Sequence, residues 1–207
     1  MRDWAALPRD ILLEILGRLQ QVDVLRGAGL ACAPWWRAAV EEPALWRTID
    51  VAFNEDELIN TQAWEARVAM ARSAVDRSAG QCESFRGVAD RHLLAYLAAR
   101  SSPSLRSLHV AFWCLPDAFV DRVLTKLPML ERLVLVHGRV LKGTLLGLLE
   151  HCPRLEVLDA GDSTIDKPAG LGTMFMLYRK MKVFHAPCVG YCPRCCCPRC
   201  LSEEPPS

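Results

Sequence analysis

The sequence predicts an α+β, multi-domain chain. Three short helices occupy residues 1–50, and a short α/β solenoid of strand–helix units follows, its parallel sheet on a concave face. Two observations predict this. In the first fifty positions apolar residues recur at helical spacing. From about residue 80 a seven-residue alternating pattern returns behind Pro103, Pro128 and Pro153, a constant step of 25. A unit of that size cannot bury its own apolar face, whereas stacked units supply one continuous core.

Composition sets outer limits. The 207 residues suit one domain or two small ones, and 51% apolar with 24% charged residues is ordinary for a globular protein. A formal net charge of +1 gives no electrostatic case for nucleic acid or an acidic membrane surface. No apolar run approaches the roughly 20 residues that cross a bilayer. Met1-Arg2-Asp3-Trp4 leads straight into a structured pattern without a secretory apolar segment. The expected location is therefore the cytoplasm or nucleus, with reduced thiols.

In the first helix Leu7, Ile11, Ile15 and Leu19 form one apolar stripe, widened by Leu12 and Leu16, while Arg9, Asp10, Glu14 and Arg18 lie mostly away from it. Pro8 suits a helix start, and Asp10 and Glu14 suit the positive end of the helix dipole. A second patch is Val22, Val24 and Leu25; a third is Cys32, Trp35, Trp36, Leu45 and Trp46. Fifty residues this apolar bury too little surface alone, so they lean either on the rest of the chain or on another protein.

The ordered set Leu7-Pro8, Ile11-Leu12, Ile15-Leu16, Leu19, Asp23-Val24-Leu25, Cys32, Trp35 and Pro43-Ala44-Leu45-Trp46-Arg47 resembles the F-box over residues 4 to 50. The resemblance implies a module that docks on a Skp-type adaptor and, through it, on a cullin-based ubiquitin ligase. It also implies that Leu7, Pro8, Ile11, Leu12, Ile15, Leu16, Leu19, Val24, Leu25, Cys32, Trp35, Leu45 and Trp46 make or support that contact. Trp36 stands where the family usually has a basic residue. Pro34 marks either a first turn or a kink of the third helix, and Gly27 and Gly29 weaken the segment before it.

Residues 51–79 form a connecting segment. Leu58, Ile59, Trp64, Val68, Ala71 and Val75 fit one face of a long helix, with Asn54 as N-cap and Glu55, Asp56 and Glu57 at its start. This helix begins the solenoid or braces the first module against it.

Residues 80–190 carry the repeats. Ser104–Val110, Met129–Leu135 and Arg154–Ala160 are three copies, Lys180–Ala186 is a weaker one, and Gln81–Gly87 an early one. Each contains a short strand. Phe119, Val120, Val123, Leu124 and Leu127 form one intervening helical face, and Leu141, Leu145, Leu146, Leu148 and Leu149 another. The period resembles a degenerate leucine-rich repeat, without a consensus asparagine. His151-Cys152-Pro153-Arg154-Leu155-Glu156-Val157-Leu158 looks like the cysteine-containing variety of the plant-like F-box/leucine-rich-repeat family. On this register Ser107, His109, Arg132, Val134, Val157, Asp159, Val183 and His185 point into the concave face; Phe112, Trp113, Val136 and His137 lie just past the strand ends. The target-binding candidates are Ser107, His109, Phe112, Trp113, Arg132, Val134, His137, Asp159 and His185, with Phe112 and Trp113 favoured as aromatic anchors.

Of ten cysteines, Cys32, Cys82, Cys114 and Cys152 are isolated and read as small apolar residues. Residues 191–207 form a Cys-rich tail, expected to be unstructured. In it two Cys-Pro-Arg-Cys pairs, Cys192 with Cys195 and Cys197 with Cys200, stand one residue apart. A structural zinc site usually separates its halves by a dozen residues or more, so zinc at these four is a secondary expectation and no cofactor the primary one.

No phosphate-binding glycine loop, His-Glu-x-x-His or Gly-x-Ser-x-Gly occurs, and Gly161-Asp162-Ser163 reads as a turn. The expected function is a non-catalytic substrate-recognition subunit of a Skp–cullin–F-box ubiquitin ligase. Its partners are a Skp-family adaptor, a cullin through it, and an unidentified target protein, with no nucleic acid and no membrane. The alternatives are a metal- or thiol-binding protein acting through the tail, and a repeat scaffold unconnected with degradation.

Overall fold

The computed structural model describes residues 4–52, 61–101, 103–111, 123, 125–161, 163–165 and 170–189. Three helices open the chain: α1 (Arg9–Arg18), α2 (Gln21–Arg26) and α3 (Ala33–Glu41). Pro8 caps α1 and its carbonyl accepts from the Leu12 N–H at 3.0 Å. Asp10 in the first turn and Arg18 in the last complement the helix dipole. Pro34 occupies the first turn of α3, so the helix is not kinked there. Gly27 ends α2, and Gly29 allows a close approach: a Cβ at position 29 would stand 2.6 Å from the Val24 carbonyl oxygen and 3.2 Å from the Ala39 Cβ. The glycine that reads as a weak point in the sequence is what lets the turn between α2 and α3 pack closely against both helices.

A strand that the sequence pattern does not announce follows directly. Strand β1 (Thr48–Val51) begins inside the helical module, so the expected boundary at residue 50 cuts through it. Helix α4 (Thr61–Arg77) then carries the chain to β2 (Ser84–Val88), which pairs with β1 in parallel. The segment read as a connecting helix therefore crosses over between two strands of the sheet, and Ala71 and Val75 are buried as expected. The Asn54 cap and the apolar positions Leu58 and Ile59 lie outside the described residues.

The remaining strands come at the repeat period: β3 (Ser107–Ala111), β4 (Arg132–Val136), β6 (Val157–Asp159) and β8 (Val183–His185). All pair in parallel, in chain order β1-β2-β3-β4-β6-β8. The same junction recurs at every step. Two successive N–H groups, those of Glu83 and Ser84, converge on the carbonyl of Arg47. Arg106 and Ser107 do so on Glu83, Glu131 and Arg132 on Arg106, Glu156 and Val157 on Glu131, and Lys182 and Val183 on Glu156, at 2.7 to 3.2 Å. Because Arg47 takes part, β1 is built like the repeat strands. A second, smaller parallel sheet joins β5 (Arg139–Val140), β7 (Thr164–Ile165) and β9 (Cys188–Val189), each just after a main strand.

Helices α5 (Arg91–Ser101), α6 (Lys142–His151) and α7 (Leu171–Lys180) complete the described units. Asp90 caps α5 through the Leu93 N–H at 2.7 Å. On α6 Leu145 and Leu148 are buried as expected, but Leu146 points outward. Of the other expected helical face, Val123 and Leu127 are buried, and Phe119, Val120 and Leu124 lie outside the described residues. Neighbouring units are tied by polar side chains. The Ser163 hydroxyl, in the predicted turn, donates to the Leu135 carbonyl at 2.9 Å and accepts from the Gly138 N–H at 3.3 Å. The Lys180 amine, its pKa lowered by burial, donates to the carbonyls of Leu148, Leu149 and Cys152 at 3.5, 3.2 and 2.8 Å, closing the C-terminal end of α6.

One apolar core runs through all of this, from Leu12, Leu16, Val24 and Trp46 in the helical module to Leu158, Leu177 and Met181 in the last unit. Trp46 is its largest bridge. Its Nε1–H donates to the Ala39 carbonyl at 2.8 Å, and the Arg77 guanidinium, its pKa lowered by burial, lies 5.1 Å from its ring centre. The Gln21 amide completes the joint: its Nε2 donates to the carbonyls of Leu45 (3.0 Å) and Thr48 (2.5 Å), and its Oε1 accepts from the Asp50 N–H (2.6 Å). Gln21 thus bonds β1 along its outer edge, where a further strand would otherwise pair.

Candidate interaction surfaces

The helical module divides its apolar residues between two duties. Leu12, Leu16, Val24 and Trp46 are buried in the shared core, so no outside protein reaches them. Of the residues that the resemblance implies make or support an adaptor contact, these four hold the module's shape from inside. The reason is phase on α1, where Leu12 is 2% exposed and its neighbour Ile11 39%. Leu19 is also exposed, Ile15 half-buried, and Leu7, Leu25, Trp35 and Leu45 pack partly against the core. Pro8 is exposed. Cys32 is half-buried at the start of α3 and lines a shallow hollow with Trp4, Ala5, Ala31 and Trp35. The Trp35 Nε1–H donates to the Trp4 carbonyl at 2.9 Å, and Arg9 pairs with Glu41 and Glu42 at 3.4 and 3.6 Å, fastening α1 and the N-terminal turn to α3.

Three exposed apolar side chains stand outside the sequence-based set: Trp4, Leu30 and Trp36. Trp36 had a signal, since it adjoins Trp35 in a helix and the two must point in different directions. Leu30 had none, because it sits in a 3-10 turn (Ala28–Leu30) that the pattern does not mark.

The second surface is the face of the main sheet turned away from the core. Burial alternates along the strands as predicted: Leu108, Val110, Leu133, Leu135 and Leu158 point inward, while Ser107, His109, Arg132, Val134, Val157, Asp159, Val183 and His185 are half-buried or exposed. Strand register lays them out in rows. One row reads Thr48, Ser84, Ser107, Arg132, Val157, Val183; the next reads Asp50, Arg86, His109, Val134, Asp159, His185.

An ion pair stands at one end of that second row and a carboxylate–imidazole contact at the other. Arg86 pairs with Asp50 at 3.4 Å, and His185 Nδ1 lies 3.1 Å from the Asp159 carboxylate. Burial alone would raise the Asp159 pKa, but the His185 bond, the Gly161 N–H at 3.2 Å and the His185 charge outweigh it and leave the carboxyl below its ordinary value. Burial, and then the Arg86 charge, hold the His109 imidazole below the ordinary histidine value. Its neutral form is thereby favoured. His137 falls in the tight turn after β4 with φ 51°, a left-handed conformation, and is half-buried. Phe112 and Trp113 lie outside the described residues.

Cys82 and Cys152 behave as the sequence suggests. Both are buried thiols, and burial pushes them up to about 12 and about 11 respectively. Among the described residues no group of three or more His, Cys, Asp or Glu side chains is placed to hold a metal ion. Cys192, Cys195, Cys197 and Cys200 lie outside the described residues, as does Cys114. No described helix is long and apolar enough to cross a membrane.

Comparison with known proteins matches two stretches of the chain to families. Residues 4–52 match the F-box-like family, and residues 84–169 match the family described as FBD-associated F-box protein At5g56370, LRR repeats. F-box/LRR-repeat protein 23 of Arabidopsis thaliana is 34% identical over 164 residues, which are 76% of this chain and 35% of that protein. F-box/LRR-repeat protein 9 of the same plant is 30% identical over 162 residues, 76% of this chain and 65% of that protein. F-box protein SKIP19, also from Arabidopsis thaliana, is 35% identical over 135 residues, 62% of this chain and 42% of that protein. The chain thus spans between 35% and 65% of the length of these relatives.

Proposed function

The chain belongs to the F-box proteins with leucine-rich repeats, and from that premise we propose that it is the target-recognition subunit of a Skp–cullin–F-box ubiquitin ligase. On this reading the helical module docks on a Skp-type adaptor and through it on a cullin. The sheet is the concave face of a short solenoid, and its outward rows hold a target protein for ubiquitylation. The chain performs no chemistry itself: it brings the target to the ligase. One observation carries the reading. The module turns Leu12, Leu16, Val24 and Trp46 into the core it shares with the sheet, yet keeps Trp4, Ile11, Leu19, Leu30 and Trp36 exposed. Aromatic and branched residues left in water on a small module are the composition of a partner-binding surface.

The test is co-purification of the full chain with a Skp-type adaptor. Ile11→Asp places a charge on the exposed side of α1 and is expected to abolish the complex while leaving thermal unfolding within a few degrees of the parent. Undiminished adaptor binding by the folded variant would remove Ile11, and the reading built on it.

A further inference from the structure

Resting on the reading of the sheet as the target-binding face, we propose that this face takes an extended peptide bearing one carboxylate side chain, Asp or Glu, two residues from a branched aliphatic one. Arg132 is the anion anchor, and Val157 and Val183 are the apolar floor.

Charge pairing singles out Arg132. Of the ionised side chains borne by the six main strands, Asp50 is matched by Arg86 and Asp159 by His185. Where the strands begin, Arg106 is matched by Glu131 at 2.6 Å and Lys182 by Glu156 at 2.7 Å. Arg132 is exposed and has no ionic partner among the described residues. Among the described residues the six strands therefore offer one arginine without an ionic partner, and both of their carboxylates, Asp50 and Asp159, are occupied; the strand-start Arg47, which bonds the Gln81 amide, and Glu83 lie two or more strands away from Arg132.

Position in the row supplies the rest. Arg132 lies in register between Ser107 and Val157. Beyond Ser107 come the hydroxyls of Ser84 and Thr48; beyond Val157 comes Val183, which is exposed. The row is thus graded from hydroxyl through guanidinium to aliphatic. Adjacent strands are about 4.8 Å apart, so a peptide lying across them meets Val157 and Val183 at roughly 5 and 10 Å from Arg132. Residues i and i+2 of an extended peptide are about 7 Å apart on one side, which sets an acid over Arg132 and an aliphatic residue between the two valines. Val134, one pleat along, and the neutral-favoured His109 beside it add no competing charge.

A carboxylate suits this anchor better than a phosphoryl group. A guanidinium fork holds a carboxylate by two parallel hydrogen bonds. A phosphoryl group brings about −1.5 to −2 charge, which one arginine does not balance. Glu131 and Glu156, at the adjoining strand starts, would repel the excess.

A random peptide library displayed on phage and selected on the full chain tests this. The expected outcome is enrichment of Asp or Glu at one position with Val, Ile or Leu two residues away. Arg132→Gln should erase the acidic preference and Arg132→Lys retain part of it. Synthesised with Glu, Gln or phosphoserine at the selected position, the best peptide should bind most tightly with Glu and at least about tenfold more weakly with Gln. Basic or charge-indifferent peptides, no enrichment at all, tighter binding of phosphoserine, or an acidic preference that survives Arg132→Gln would each overturn the proposal. Val134→Asp separates this inference from the reading beneath it. Peptides lost on Val134→Asp but indifferent to Arg132 leave the face as the target site and sink only the acidic class. Peptides indifferent to both sink the target face as well.

Discussion

The two ends of the six-stranded sheet are finished in opposite ways. At the β1 end the Gln21 amide bonds the backbone of Thr48 and Asp50, and Trp46 fills the space between the helices and the strands. At the β8 end Phe175 and Tyr178 on α7 are 63% and 70% exposed, and Tyr178 meets Phe184 edge-on with ring centres 5.6 Å apart. The difference teaches that the helical module is the sheet's end piece as well as the bearer of an exposed apolar face. One set of residues enters the shared core and another, one position away on the same helix, faces outward.

Three substitutions sharpen or break that contrast. Trp46→Ala removes the largest fully buried side chain and leaves a cavity shared by module and sheet. It should cost about 3–5 kcal/mol and lower one cooperative unfolding transition for the whole chain, read by far-UV circular dichroism. Two separated transitions would show that the module is an independent domain. Gln21→Ala leaves the Thr48 carbonyl and Asp50 N–H to water and should cost about 0.5–1.5 kcal/mol. Faster hydrogen exchange should be confined to the amides of β1, and exchange spreading evenly over all strands would contradict the edge role. At the other end Tyr178→Ser should change stability by no more than about 0.5 kcal/mol, as for an exposed position away from buried networks. A loss comparable to that of Gln21→Ala in a denaturant titration would mean the β8 end is covered in solution.

Much of the fold was legible because a near-constant step, 25 residues between the central strands and 23 and 26 at the flanks, with alternating apolar positions leaves little freedom of register. Strands β2, β3, β4, β6 and β8 fall where the repeat puts them, and the outward set from Ser107 to His185 follows from period-two alternation. Strand β1 escaped because its register partner in β2 lies 36 positions on, Thr48 against Ser84, so it shares no step with the copies. Strands of two residues such as β5 and β7 carry no alternation to read. Helix α7 was not singled out: its exposed Phe175, Met176 and Tyr178 blur the one-sided pattern that marks an amphipathic helix.

The candidate surfaces were legible to different depths. On a strand, neighbours face opposite ways, so sequence separates the outward row from the core. On α1 the apolar run Ile11-Leu12-Leu13 spans more than half a turn, and its composition does not say which member turns inward. Only packing against α3 and the turn before β1 decides that Leu12 is core and Ile11 is surface. Pairing was invisible altogether. Nothing in the spacing says that Asp50 and Asp159 are matched and Arg132 is not, since their partners lie on neighbouring strands.

The amine of Lys180 has a consequence for how the chain is made. The three carbonyls it bonds, those of Leu148, Leu149 and Cys152, precede it by 32 to 28 residues. At roughly 5–20 residues per second, a ribosome delivers that lysine on the order of seconds after α6 has emerged. Through that interval the Leu148 and Cys152 carbonyls keep only their backbone donors, the N–H groups of Cys152 and Leu155 at 3.3 and 3.2 Å, and lack the cation that later joins them. This unit is therefore left unfinished until part of its successor exists.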